Sequence, residues 1–157
     1  MKHLSWKYVA GLIDGEGCID IQASKGNYLT PRVRVALTEP GKDVVELLKN
    51  NFGGHICINV PDNTKWSTAY KWELCGYHRT CPLLRNIVNH LIIKKEQARL
   101  ILWLESNLKG KWLNTETRKV AIEELKAMKR DPHRLSEKAQ SKLLECEAIV
   151  ETVVITV

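Results

Sequence analysis

Nothing in this sequence pairs its cysteines. Cys18, Cys57, Cys75, Cys81 and Cys146 are odd in number, widely scattered and without a CxxC pair. That pattern argues against a disulfide framework or a zinc site and fits reduced thiols in an intracellular protein. None of the five histidines has a partner at ligand spacing, and His55 and His78 read as turn or surface residues. No apolar run is long and clean enough to span a bilayer. The first apolar stretch is interrupted by Asp14 and Glu16, so no signal peptide is expected. The expected compartment is therefore cytoplasm or an organelle, away from any membrane. Negative charge is the scarcer sign, with 18 Asp and Glu against 24 Lys and Arg, a net charge of +6. This moderate basicity suits a polyanionic partner without naming one. Five tryptophans and 44% apolar residues in 157 exclude a disordered basic tail and suffice for one domain with a core. No segment repeats.

What the chain does have is Tyr8-Val9-Ala10-Gly11-Leu12-Ile13-Asp14-Gly15-Glu16-Gly17. It reads as a short apolar helix with an acidic, glycine-rich end. Ala10, Gly11 and Gly15 are small enough to let two helix backbones approach closely. Gly17 is placed where a C-capping glycine is expected. The negative end of a helix dipole with the Glu16 carboxylate makes a seat for a divalent cation. Two acids ending an apolar helix are a poor choice for packing alone.

Val9 to Gly17 resembles the signature of the LAGLIDADG homing endonucleases, with Val9 for Leu, Gly15 for Ala and Glu16 for the second Asp. The resemblance implies an α+β fold, an αββαββα core over about residues 5–108, carrying a mixed four-stranded sheet. A helical C-terminal extension would follow over about 112–157, all within a single domain, 1–157. It also implies a magnesium- or manganese-dependent endodeoxyribonuclease of the intron-homing type, making a double-strand break in a long, near-palindromic target. Only one copy of the signature is present, and relatives with one copy work as homodimers with the signature helices at the two-fold axis. Ala10, Gly11, Asp14 and Gly15 are then the candidate dimer interface. The partners are double-stranded DNA and a second copy of the chain, with no small-molecule cofactor. The alternative is a non-cleaving RNA maturase or DNA-binding regulator on the same fold.

Periodicity supplies the elements independently. Ile19, Ile21 and Ala23 alternate with Asp20, Gln22 and Ser24, and Val33, Val35 and Leu37 alternate with Arg32, Arg34 and Ala36, giving a hairpin turned at Lys25-Gly26-Asn27. Lys42 to Phe52 is an amphipathic helix closed by Gly53-Gly54. Ile56, Ile58 and Val60, then Tyr70, Trp72 and Leu74, form a second hairpin. Helices follow over Tyr77 to Leu91 with Pro82 in the first turn, Glu96 to Leu108, Thr115 to Arg130 and Glu137 to about Val150. The β-branched tail Thr152 to Val157 fits either a strand or a helical extension.

Phosphodiester hydrolysis needs an attacking water and relief of charge on phosphate and leaving oxygen. Glu16 is the expected metal ligand and catalytic acid, with the Gly15 carbonyl as a second donor; Asp14 is expected to orient the helix end. Lys94 opens a helix, where the dipole disfavours a cation, which marks it as functional. By resemblance it is the basic residue of the active site, polarising water or steadying the phosphate, with Lys95 as the alternative. Glu39 stands where relatives commonly carry a water-holding Gln, just after Thr38, and Lys42 is a possible basic neighbour. The polar strand faces are the DNA-reading candidates: Asp20, Gln22, Ser24, Lys25 and Asn27 on the first hairpin strand and its turn, Arg32, Arg34 and Thr38 on the second, Asn59, Lys71 and Glu73 on the other pair. A ribbon of this kind fits the major groove, and Arg32 and Arg34 could each take a guanine bidentately. Lys109, Lys111, Lys126, Lys129 and Arg130 are available for phosphates in the extension.

Overall fold

The computed structural model describes residues 2–25, 28–109 and 113–155, with side chains in the last helix described as far as Glu147. Helix α1 (Trp6–Glu16) starts on Ser5, whose Oγ accepts the Tyr8 amide at 3.2 Å. It buries Val9, Ala10 and Ile13. The hairpin β1 (Gly17–Ser24) and β2 (Tyr28–Thr38) follows, then a short 3-10 turn and α2 (Lys42–Phe52), the hairpin β3 (His55–Asn59) and β4 (Ala69–Cys75), and helices α3 (Tyr77–Ile87), α4 (Lys95–Leu108), α5 (Thr115–Arg130) and α6 (Ser136–Ile155). The α+β expectation holds, including the helical continuation of the tail as far as Ile155. Thr156 and Val157 lie outside the described residues.

The sheet runs β1-β2-β4-β3 and every pairing is antiparallel, so the expected mixed sheet is corrected. The reason is the route of α2. It carries the chain from the end of β2 across to the far edge, and β4 then returns between β3 and β2, antiparallel to both. Period-two alternation identifies strands but says nothing of which strand inserts between which.

One sheet face supplies the core. Ile19, Val33, Val35, Trp72 and Leu74 are fully buried against Val9, Ile13, Val45, Leu48 and Leu84. Trp72 donates its indole N–H to the Gly53 carbonyl at 2.8 Å, so its polar atom is satisfied inside the core. Truncating it to alanine would cost roughly 3–5 kcal/mol. Helices α4, α5 and α6 pack on one another, and α4 and α5 also meet β1.

Four local expectations are corrected. Gly17 is extended (φ −92°, ψ 169°) rather than left-handed. It is glycine because a Cβ there would lie 2.7 Å from both Cα and O of Ile13. Pro82 sits at the sixth residue of α3, not in its first turn. Helix α3 ends at Ile87 rather than Leu91, and beyond it the His90 and Leu91 amides both turn back onto the Ile87 carbonyl, at 2.8 and 3.1 Å. Val60 lies beyond β3 and is 69% exposed, leaving the outer edge of the sheet without the apolar cover its alternation suggested.

Candidate active site and nucleic-acid interface

The chain leaves α1 with two carboxylates in very different states. The side chain of Asp14 reaches the segment before α4: Oδ2 accepts the Ile92 amide at 2.6 Å and Oδ1 the Lys94 amide at 2.9 Å. Both oxygens are thus engaged in satisfying backbone donors at a helix start. The ammonium of Lys94 in turn donates to the Asp14 backbone carbonyl. This double link, across 80 residues of sequence, places Lys94 at the C-terminal end of α1, where the helix dipole favours a cation. The wrong-end lysine of α4 is therefore a right-end lysine of α1.

Glu16, two residues on, is exposed and its carboxylate has no hydrogen-bond or ionic partner among the described residues. Gly15 is exposed beside it, in the last turn, where helix carbonyls lack intrahelical donors. A free carboxylate with backbone carbonyls is the oxygen chemistry that magnesium or manganese prefers. The described residues nevertheless contain no group of three His, Cys, Asp or Glu side chains able to hold an ion.

The residues expected at a dimer interface separate into two sets. Ala10 is fully buried inside the chain and faces the core, which corrects its assignment; it was grouped with the glycines by size, although it lies on another side of the helix. Gly11 and Gly15 are exposed, and a Cβ built on either meets nothing within 4 Å. Nothing among the described residues requires glycine there. Tyr8 on the same helix is 47% exposed, and Ile92 and Ile93 next to Asp14 are 86% and 48% exposed. Nothing local in the run Leu91-Ile92-Ile93 signals that its last two residues are exposed while Leu91 is buried.

Glu39 sits past the end of β2, with its Oε2 accepting the Tyr70 hydroxyl at 2.6 Å. Lys42 lies over the ring of the same tyrosine, 5.6 Å from its centre. The Tyr70 hydroxyl is pushed up, first by its hydrogen bond to Glu39 and then by burial.

The polar face of the sheet is assembled in rows by the register. Arg34 stands between Cys18 and Glu73, with His55 beyond. Arg32 stands between Asp20 and Cys75, and Thr38 opposite Ala69 next to Asn59. Gln22 and Lys25 are exposed toward the hairpin tip, whereas Ser24 uses its hydroxyl to close that turn on the Tyr28 carbonyl at 3.1 Å. Asn27 lies outside the described residues. Lys71 lies 3.8 Å and Arg32 3.9 Å from the Glu73 carboxylate. Asp20 is only 9% exposed, hydrogen-bonded by Arg32 and Arg34. Burial pushes its carboxyl up, but the Arg32 hydrogen bond with the charges of Arg34, Arg32 and Lys129 outweighs this and holds it below the ordinary value. Cys75, on the same face, is pushed up to about 11 by burial and by its contact with Glu73, so it is an inert thiol. Lys129 of α5 reaches this face too, 3.2 Å from the Cys18 sulfur.

The model for the LAGLIDADG endonuclease family matches residues 9–107. The chain belongs to the LAGLIDADG endonucleases. No curated protein sequence matches it. Its fold is shared with the homing endonuclease I-CvuI, solved with an I-CreI target and magnesium (14% identity, TM-score 0.63, covering 90% of this chain and 94% of that one). It is shared with the homing endonuclease I-TnaI (23% identity, TM-score 0.53, 92% and 99%). I-SmaMI, bound to uncleaved DNA with calcium, aligns over 92% of this chain but 50% of its own (21% identity, TM-score 0.59). This LAGLIDADG chain thus corresponds to about half of that protein. Among its described residues no helix is long and apolar enough to cross a membrane.

Proposed function

We propose that the chain is a homodimeric, divalent-metal-dependent endonuclease that makes a double-strand break in a long, near-palindromic DNA site, in the manner of intron homing. The observation that carries this reading is the state of Glu16: a free, exposed carboxylate at the end of the signature helix, with the Lys94 ammonium fixed at the same helix end by Asp14. Two copies meeting along Gly11 and Gly15, with Tyr8, Ile92 and Ile93 covered on either side, bring two such helix ends to one axis. The two Glu16 carboxylates would repel unless cations lie between them. That fits the lack, among the described residues, of any group of three His, Cys, Asp or Glu side chains able to hold an ion within one chain.

Glu16 and the Gly15 carbonyl would hold magnesium or manganese together with DNA phosphate oxygens. The bound metal would supply charge neutralisation on the phosphate and a water of lowered pKa. Lys94, held rigid by its contact with Asp14, steadies the developing negative charge on the scissile phosphate. Glu39, hydrogen-bonded by the Tyr70 hydroxyl, would help hold the water shell, as its place after β2 suggests by resemblance. Gln22, Lys25, Arg32, Thr38, Asn59 and Lys71 present a mixed polar face to the major groove, suited to base edges more than to uniform phosphate contact.

The test is a plasmid carrying the intron-less insertion site, incubated with purified protein with and without magnesium. Linearisation that requires magnesium and vanishes in Glu16→Gln, with DNA binding retained, supports the reading. Cutting that survives in Glu16→Gln removes Glu16 from its role. Binding of DNA or structured RNA without any cutting by the native chain favours a maturase or regulator instead.

A further inference from the structure

The two arginines at the centre of the sheet face are not equivalent. Asp20 meets Arg32 side-on, Nε to Oδ1 at 2.9 Å and Nη2 to Oδ2 at 3.2 Å. This leaves both hydrogens of Arg32 Nη1 and one of Nη2 directed away from the carboxylate, and Nη1 has only a distant ionic neighbour, Glu73 at 3.9 Å. Arg34 is differently bound. Its Nη2 donates both to Asp20 Oδ2 and to the Cys18 sulfur, the latter at 3.5 Å, while its Nε is buried with no partner. Only Nη1 of Arg34 remains, and one nitrogen cannot make the paired contact with guanine O6 and N7. Lys129 of α5 completes the cluster, 3.8 Å from Asp20 Oδ2.

We propose that Asp20 is a positioning residue for base recognition: it buttresses Arg32 for end-on bidentate contact with a guanine and withholds Arg34 as an anchor. Asp20 itself reads no base. Its two oxygens are taken up by three cations, and it is 9% exposed. A guanidinium fixed by a buried carboxylate loses little rotamer freedom on binding, which favours the base edge it is aimed at. The same carboxylate neutralises charge that would otherwise go to phosphates, and so it holds down sequence-independent binding. The lysine of α5 ties the helical extension into this arrangement through Asp20 and Cys18. This proposal rests on the reading of the sheet face as the DNA-reading surface.

The experiment is selection from a random-sequence duplex library by the full-length chain and its variants, with affinity for a poly(dI-dC) duplex measured against salt. The native chain is expected to select a consensus that contains a guanine in each half-site whose preference is lost in Arg32→Ala. Asp20→Asn is expected to reduce preference at that same guanine about tenfold while binding poly(dI-dC) at least as tightly, with a steeper salt dependence by about one. Arg32→Lys keeps the charge but not the fork, so it is expected to lose the guanine and keep poly(dI-dC) affinity; this decides the matter should Asp20→Asn fail to fold. Arg34→Ala is expected to leave the guanine preference in place. A consensus unchanged in Asp20→Asn and Arg32→Lys, or a guanine erased by Arg34→Ala and not by Arg32→Ala, overturns the buttress while leaving the sheet as the reading surface. No consensus from the native chain overturns both.

Discussion

The tip of α1 and the C-terminal pair of helices handle carboxylates in opposite ways. In the α5–α6 region the acids close on their partners. Glu124, 5% exposed, accepts from Arg134 at 2.7–3.0 Å through both oxygens and from Lys142. Glu96 of α4 accepts the Ser136 amide at the start of α6 at 2.8 Å and is paired with Arg99. Satisfied buried acids of this kind fix helices relative to one another. At the end of α1, Asp14 behaves the same way, whereas Glu16 is left idle and exposed. Three acids hold the fold together, and one is held out by it. That difference is what the proposed role of Glu16 rests on.

The largest expected effect follows from removing the idle acid. Glu16→Gln should lower cutting by about 1,000-fold or more, the scale of losing a group that stabilises charge in the transition state. The melting temperature should not change, since no partner is lost. Plasmid linearisation and a thermal melt on the same preparation check both halves. A large loss of stability would place Glu16 among the structural acids and erase the contrast.

Asp14→Asn comes next. Asn has one acceptor oxygen, so one of the two amides, Ile92 or Lys94, loses its partner, at about 1–2 kcal/mol. For a chain of this size that lowers Tm by roughly 2–8 °C. Lys94 would also lose its fixed position, and displacement of a positioned catalytic group by about 1 Å costs on the order of 100-fold. Cutting should therefore fall about 10- to 100-fold, less than for Glu16→Gln, with a measurable fall in Tm. An Asp14→Asn protein with unchanged Tm and activity would show that the hydrogen bonds to the segment before α4 are dispensable.

How much of this was visible in the sequence depends on how far each relation reaches along the chain. Helices α2 and α5 come out with their observed limits because amphipathic period and caps are local: Gly53 closes α2, and Asn114 caps α5 by accepting the Thr117 amide. Glu16 stands out in the sequence because it lies within the signature. That Lys94 comes to the same helix end has no local trace, because the bridge through Asp14 spans 80 residues. Ala10 was misplaced because size was read without helical angle. The arginines of β2 were assigned to the correct face by alternation, yet alternation cannot tell that Asp20 opposite them is their ion-pair partner. The sheet's antiparallel order and the bond from Glu96 to Ser136 are likewise matters of tertiary placement.

Glu124→Gln tests the other side of the contrast. Replacing a carboxylate that accepts from Arg134 and Lys142 by a neutral amide should cost roughly 2 kcal/mol, about 4–8 °C in Tm, and leave cutting unchanged. Loss of cutting in a protein that still melts cooperatively would show that the extension contributes to the site itself.

The smallest effect is in acid. Burial pushes the Glu124 carboxyl up, but its bonds to Lys142 and Arg134 hold it below the ordinary value of 4.5. Glu96 is lowered likewise: the Ser136 amide and hydroxyl and Arg99 outweigh burial. Asp20 is held below 3.8. A carboxyl whose folded-state pKa lies under its unfolded value contributes stability that is fully present above the unfolded pKa and disappears as the pH falls through the folded one. The native chain should thus hold a level Tm from neutrality down to about pH 5 and lose it progressively below 4.5. Because residue 124 can no longer take up a proton, Glu124→Gln should begin lower and decline less steeply, the two curves converging in acid. A Glu124→Gln curve parallel to the native one at every pH would mean that the buried ion pairs of the extension do not set its acid limit.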